Sequence, residues 1–294
     1  MVIVVMGIVA SIGAEIIAKL YENYLQTRSI NRLQSQTELV LDQISKRLTY
    51  RIKDSVIARL PMYPITTDPL PLSNTGVNSS YRILEWIGKD NEGLDGDWNG
   101  STNVPGWSGF IDLDSNETNK TQVKTIGSSL AFEKNIINAL SYSKINIDST
   151  SAPHAVLIFK GKSDYNVNKY GWKGNGINDT NYTYQVQRQG KDVLKFLLGR
   201  KATTVYEQYD LAWTAYAIVP EGNNTNDFNL TLKYNFQPWD GDDYNSATTK
   251  SSLLMEHVSS FKFLQSGETI RLKLCIRDDR TGGDFGFCKE KVVF

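Results

Sequence analysis

The feature that most constrains this chain is its opening. MVIVVMGIVASIGA, residues 1–14, contains no charge, and the first ionisable side chains are Glu15 and Lys19. Such a run belongs in lipid or in a protein core. A membrane-spanning helix needs about 20 apolar residues. This run, even extended through Ile16, Ile17 and Ala18, starts abruptly for that purpose and reads as cut short at its N-terminus. A cleavable secretory signal would open with basic residues and close on a small-residue site. Here no Lys or Arg precedes Lys19, and the helical pattern runs on.

From Leu20 the apolar residues keep helical spacing: Leu33, Val40, Leu41, Ile44, Leu48, Ile52, Val56 and Leu60 recur at intervals of three, four or seven residues or abut. Arg32, Glu38, Asp42, Lys46, Arg51 and Arg59 fill the other faces. No proline occurs before Pro61, and a proline drives its predecessor out of helical geometry, so one helix is predicted over residues 1–60. At about 1.5 Å per residue it would reach about 90 Å, too long for burial in one domain. The expectation is an anchor in its first third, then an amphipathic stripe packed on a globular body. A coiled coil is the alternative, although the stripe is not a strict heptad.

Residues 61–294 form the second expected domain. Short aromatic and β-branched runs alternate there with Gly, Asn, Asp and Ser clusters, the pattern of a β-rich body. Strands are predicted at 81–87, 155–160, 182–188, 193–198, 205–219 (bent), 228–236, 261–264, 269–276 and 291–294, with a hairpin turn over Gln265–Glu268. Residues 128–141 and 251–258 read as short helices, which makes the class α+β.

An uncharged Val/Ile/Met/Gly/Ala opening that passes into a long amphipathic helix and then a β-rich body resembles the type IV pilin and type II secretion pseudopilin superfamily. Glu256–Asp278, EHVSSFKFLQSGETIRLKLCIRD, is similar to the last strands of the large minor pseudopilins. The family's prepilin site, a Gly before an aromatic residue with a Glu shortly after, would lie upstream of Met1. The resemblance implies a structural subunit that takes part in assembling, initiating or capping a pilus, secretion or DNA-uptake filament. Its implied partners are other pilin or pseudopilin subunits, the bacterial inner membrane and an assembly platform, with the globular domain in the periplasm. A membrane-anchored periplasmic binding module is the alternative, and a surface-anchored hydrolase a third.

Glu15 and Lys19 stand at i and i+4, where they pair along the helix or lie at lipid-headgroup level. Lys19, Arg28 and Arg32 follow the apolar run, against the positive-inside rule, a disagreement that the residues expected upstream of Met1 would resolve. Cys275 and Cys288 flank a polar loop. A bond between them would contribute on the order of 3 kcal/mol and need an oxidising compartment; two buried thiols are the alternative, and the resemblance favours the bond.

Eight Asn-x-Ser/Thr acceptors occur, at Asn78, Asn99, Asn116, Asn119, Asn178, Asn181, Asn223 and Asn229. Six of them, Asn99, Asn116, Asn119, Asn181, Asn223 and Asn229, have an acid two residues earlier. With 32 acids in 294 residues, chance gives roughly one in eight positions. The pattern looks like the acceptor of a bacterial oligosaccharyltransferase that acts on the periplasmic face. The competing reading is that Asn, Asp and Thr crowd into the same turns.

Asp95, Asp97 and Asn99, with Gly100, match the opening of a calcium loop, but position twelve, normally Glu, is Gly106. Calcium is thus the one cofactor with a sequence argument, and a partial one. Two Cys and two His at these positions cannot assemble a zinc site. Net charge is zero, 32 basic against 32 acidic residues, which argues against direct nucleic-acid binding. Neither His154 nor His257 has a nucleophile or carboxylate at a diagnostic spacing, and Gly161-Lys162-Ser163 lacks the first glycine of a phosphate loop, so no enzyme is expected.

Overall fold

Helix α1 runs from Val2 to Thr49, and there it stops, eleven residues short of Leu60. In this computed structural model, residues 2–61, 69–98, 100–161, 166–172, 182–278 and 285–294 are described; of residues 2–5, 8, 97, 223, 278 and 285, the backbone alone. The Arg51 guanidinium caps the helix by donating to Leu48 O (2.7 Å), Phe294 O (3.3 Å) and Glu268 O (2.7 Å). The Ile52 amide then joins the sheet through Ile87 O at 2.9 Å. Val56, Ile57, Ala58 and Arg59 are all buried. A helix on a sheet buries one stripe, whereas a strand covered on both faces buries every residue, so this segment is β-structure despite its i, i+4 spacing.

The remaining elements follow as β1 (Ile57–Arg59), β2 (Leu70–Pro71), β3 (Ile83–Gly88), α2 (Asn91–Asp95), β4 (Asp97–Trp98), β5 (Asn103–Val104), β6 (Gln122–Lys124) and α3 (Leu130–Leu140). Then come β7 (Ala155–Phe159), β8 (Tyr184–Gln189), β9 (Val193–Phe196), β10 (Tyr209–Ala212), β11 (Thr214–Asn224), β12 (Asp227–Phe236), β13 (Lys250–Ser266), β14 (Thr269–Asp278) and β15 (Phe285–Val293). Two antiparallel sheets carry the body. An eight-stranded sheet has the order β15-β14-β13-β12-β11-β3-β1-β2, and a five-stranded sheet the order β10-β7-β8-β9-β6. The class is therefore α+β.

Side-chain alternation sorts the core into three levels. Leu33, Val40, Leu41, Ile44 and Leu48 of α1 meet Leu84, Trp86, Ile218, Leu230, Leu272 and Leu274 on one face of the large sheet. The opposite face, with Ile83, Ile87, Ala215, Ala217 and Val219, packs on Val156, Ile158 and Ala212 of the small sheet. Ala155, Leu157, Phe159, Tyr209 and Leu211 point the other way, under α3 and the loop around Trp107. The order is helix, sheet, sheet, helix. Each fully buried α1 side chain contributes about 1.5–3 kcal/mol as an upper estimate. Outside that contact, Lys289 pairs with Glu38 (2.9 Å), and Lys291 pairs with Asp42.

Two other expectations change. Residues 251–258 lie in β13 rather than a helix. Met255 and Val258 both turn inward because a bulge separates them: they pair with Leu230 and Phe228, and the intervening His257 has φ +56°. That three-residue spacing imitates a helical one. The long bent strand at 205–219 divides at Trp213 into β10 of the small sheet and β11 of the large one. The helix expected at 128–141 is present as α3, and the hairpin turn over Gln265–Glu268 joins β13 to β14 with Gly267 at φ +60°.

Candidate functional site

The two halves of α1 have different surroundings. From Leu33 to Thr49 seven residues, Leu33, Thr37, Val40, Leu41, Ile44, Ser45 and Leu48, are buried against the body, whereas Met6, Val9, Ile12, Ile16, Ile17, Leu20, Tyr21 and Tyr24 are each more than half exposed. At about 100° per residue those exposed residues share one broad face that spans about half of the helix circumference, with Glu15, Lys19 and Glu22 on the remainder. A soluble helix would carry polar groups on such a surface, so the stem is built to be covered by something other than its own body. Glu15 and Lys19 pair on it at 2.8 Å, both exposed. Among the described residues no helix is long and apolar enough to cross a membrane.

Where the stem meets the body, a groove of about 430 Å³ opens between Ser29, Arg32, Leu33, Gln36 and Val40 of α1 and Leu253–His257 of β13. A second cleft, about 350 Å³, lies beyond the C-terminal end of α1 and is lined by Arg51, Lys53, Lys89 and Lys160 together with Tyr170, Tyr182, Asp54 and Asp210. Lys89 and Lys160 both reach Asp210, at 3.5 and 3.1 Å. Burial raises the Asp54 pKa, partly opposed by Lys53.

Cys275 and Cys288 face each other across β14 and β15 and are joined as a disulfide. The described glycosylation candidates Asn116, Asn119 and Asn229 are all exposed; Asn99 and Asn181 lie outside the described residues, as does the side chain of Asn223. Of the calcium candidates, Asp95 ends α2 and accepts from Asn91 Nδ2 at 3.1 Å. The side chain of Asp97 and all of Asn99 lie outside the described residues, as do Lys162 and Ser163. Trp107, Trp172 and Trp239 are core residues, and Trp98 of β4 is exposed.

Three buried charged arrangements have little or no announcement in the sequence. His154 lies against Asp240, with Nδ1 2.9 Å from Oδ1, its own amide donating to Oδ2 at 2.6 Å, and Nε2 3.2 Å from Thr150 O. Carboxylate and carbonyl oxygens only accept, so the protonated ring, with an N–H on each nitrogen, is the form that satisfies both contacts. Burial opposes that charge, yet Asp240 and the Thr150 carbonyl outweigh it and raise the His154 pKa. With both nitrogens committed, His154 braces the 150–154 loop. Asp240 is the other half of this brace.

Arg59 and Glu85 pair between the two sheets, side chains 3% and 1% exposed, and Arg59 also donates to Trp172 O at 3.0 Å. Burial raises the Glu85 pKa, and Arg59 pulls it back. The available signal was an ionisable residue inside each of two apolar runs, VIARL and ILEWI. On α3, fully buried Glu133 lies beside buried Asp90. Burial first and Asp90 second hold the Glu133 carboxyl well above the usual carboxylate range. A Cβ at Gly93 or Gly106 would collide with that carboxyl, so the two glycines are what allow the close approach. The pair is sealed from solvent and has no access for a substrate.

Comparison with family models, curated proteins and solved structures finds no match to this chain.

Proposed function

We propose that the chain is a minor pilin-like or pseudopilin-like structural subunit that takes part in assembling, initiating or capping a filament of the type IV pilus, type II secretion or DNA-uptake kind. The observation that carries this reading is the division of α1 into an exposed apolar stem, Met6 to Leu25, and a half that is integral to the body, Leu33 to Leu48. An apolar helix of this kind is stable in lipid or among other such helices. Assembly then exchanges lipid contacts for helix–helix packing. In this reading the stem lies in the bacterial inner membrane before assembly and the body faces the periplasm, where the Cys275–Cys288 bond persists. Its partners are other subunits with similar stems and an assembly platform.

The cationic cleft around Arg51, Lys53, Lys89 and Lys160 favours a second reading, a membrane-anchored periplasmic binding module. Deleting the gene and restoring either the wild-type chain or Leu20→Glu separates the two. The filament reading predicts fewer filaments, or loss of secretion or DNA uptake, restored by wild type and not by Leu20→Glu. Unchanged filaments, secretion and uptake in the deletion strain would refute it.

A further inference from the structure

The filament reading leaves the projection between Ile111 and Val123 unused. Both of those residues are rooted in the core beneath α3, on the side of the small sheet remote from α1. Between them the chain closes as a hairpin: the Asp112 amide donates to Lys124 O and the Asn119 amide to Gln122 O, each at 2.9 Å. Glu117 is fixed along it by Lys124 Nζ at 2.5 Å, and its carbonyl accepts from Gln122 Nε2 at 2.9 Å. Leu113, Asp114, Asn116, Glu117, Asn119 and Lys120 are exposed.

Two overlapping acid-containing acceptor sequences occupy this hairpin, Asp114-Ser-Asn116-Glu-Thr118 and Glu117-Thr-Asn119-Lys-Thr121. Their hydroxyls are used differently. Thr118 donates to Asp112 O at 2.6 Å and accepts from the Lys124 amide at 3.1 Å, so its hydroxyl holds the hairpin shut. The Thr121 hydroxyl and amide both donate to Asn119 Oδ1, at 2.7 and 2.9 Å. Two donors on the carboxamide oxygen stabilise negative charge there, which makes an Nδ2 proton easier to remove, and they hold Nδ2 away from the turn. The other described candidate with an upstream acid, Asn229, lies inside β12 between β11 and β13, and its Thr231 is buried and donates to Glu221 at 2.9 Å.

We infer that Asn119 is a glycosylation site, its Nδ2 accepting an oligosaccharide from a lipid-diphosphate-linked donor. In the transfer the Nδ2–C1 bond forms and the C1–O bond to diphosphate breaks. The lipid diphosphate leaves with the bonding pair, an Nδ2 proton passes to the base of the transferase, and nothing is oxidised or reduced. This inference does not rest on the filament reading, because the hairpin and the stem occupy opposite sides of the body.

The test is intact-mass measurement and glycopeptide sequencing of the full chain purified from the organism that produces it, as wild type, N119Q, T121A, E117Q and N116Q. The expected result is one glycan on the peptide containing Asn119, lost in N119Q and T121A, reduced in E117Q and retained in N116Q. Thermal unfolding of each variant checks that the hairpin substitutions leave the body folded. Wild-type protein with the mass of the bare polypeptide overturns the inference, as does a glycan mass unchanged in N119Q.

Discussion

Truncating one leucine in each half of α1 separates its two roles. Leu41 is 1% exposed and packs in the cluster with Leu48, Trp86, Leu272 and Leu274, whereas Leu20 is 62% exposed. Leu41→Ala removes buried atoms and leaves a cavity between helix and sheet, a change that costs about 2–5 kcal/mol. At the middle of that range, about 3 kcal/mol, the folding equilibrium falls more than a hundred-fold. Leu20→Ala removes a side chain that the body does not touch, and its effect on the body is expected within about 0.5 kcal/mol. Denaturant unfolding of the full chain in mild detergent, followed by tryptophan fluorescence, reads both, since Trp86 sits in the same cluster as Leu41. Equal losses from the two substitutions, or a silent Leu41→Ala, would refute the division of the helix.

Stability should depend on pH through His154. Its folded pKa is raised, so its contribution is complete below the unfolded value of about 6.5 and is lost as pH rises through the folded value. Melting temperature should therefore fall on that side, and His154→Gln should flatten the slope. Glu85→Ala strands the buried Arg59 guanidinium and should cost about 3–5 kcal/mol by denaturant midpoint, with the Arg59→Leu/Glu85→Leu double variant losing less than the single one. Ellman titration of the unreduced, denatured chain should find no free thiol. Reduction should lower stability by about 2–4 kcal/mol, given a separation of 13 residues between Cys275 and Cys288.

Much of the fold was legible in the sequence because its signals are local. Leu33, Val40, Leu41, Ile44 and Leu48 mark the packed face of α1, and α3 and the β13–β14 hairpin follow from short-range pattern and turn chemistry. What escaped was set by tertiary contact. Ile52 and Val56 continue the helical spacing, yet pairing with β3 converts their segment to a turn and a strand. Met255 and Val258 look helical because a bulge realigns them. Trp213 marks a crossing between sheets that no single-strand pattern contains. Similarly, Asp240 resembles any turn acid until the fold sets it beside His154, 86 residues away in the chain. The stem and the acceptor sequences were legible as chemistry, while the engagement of Thr118 and Thr121 that distinguishes Asn116 from Asn119 exists only in the folded hairpin.

A photo-activatable residue placed in turn at Leu20 and at Leu41, in cells that make the protein, tests the central claim most directly. From Leu41 the account predicts only intramolecular products that reach the sheet bearing β14 and β15. From Leu20 it predicts covalent products with other subunits, joined through their own apolar stems. Lipid adducts alone from Leu20 would contradict it.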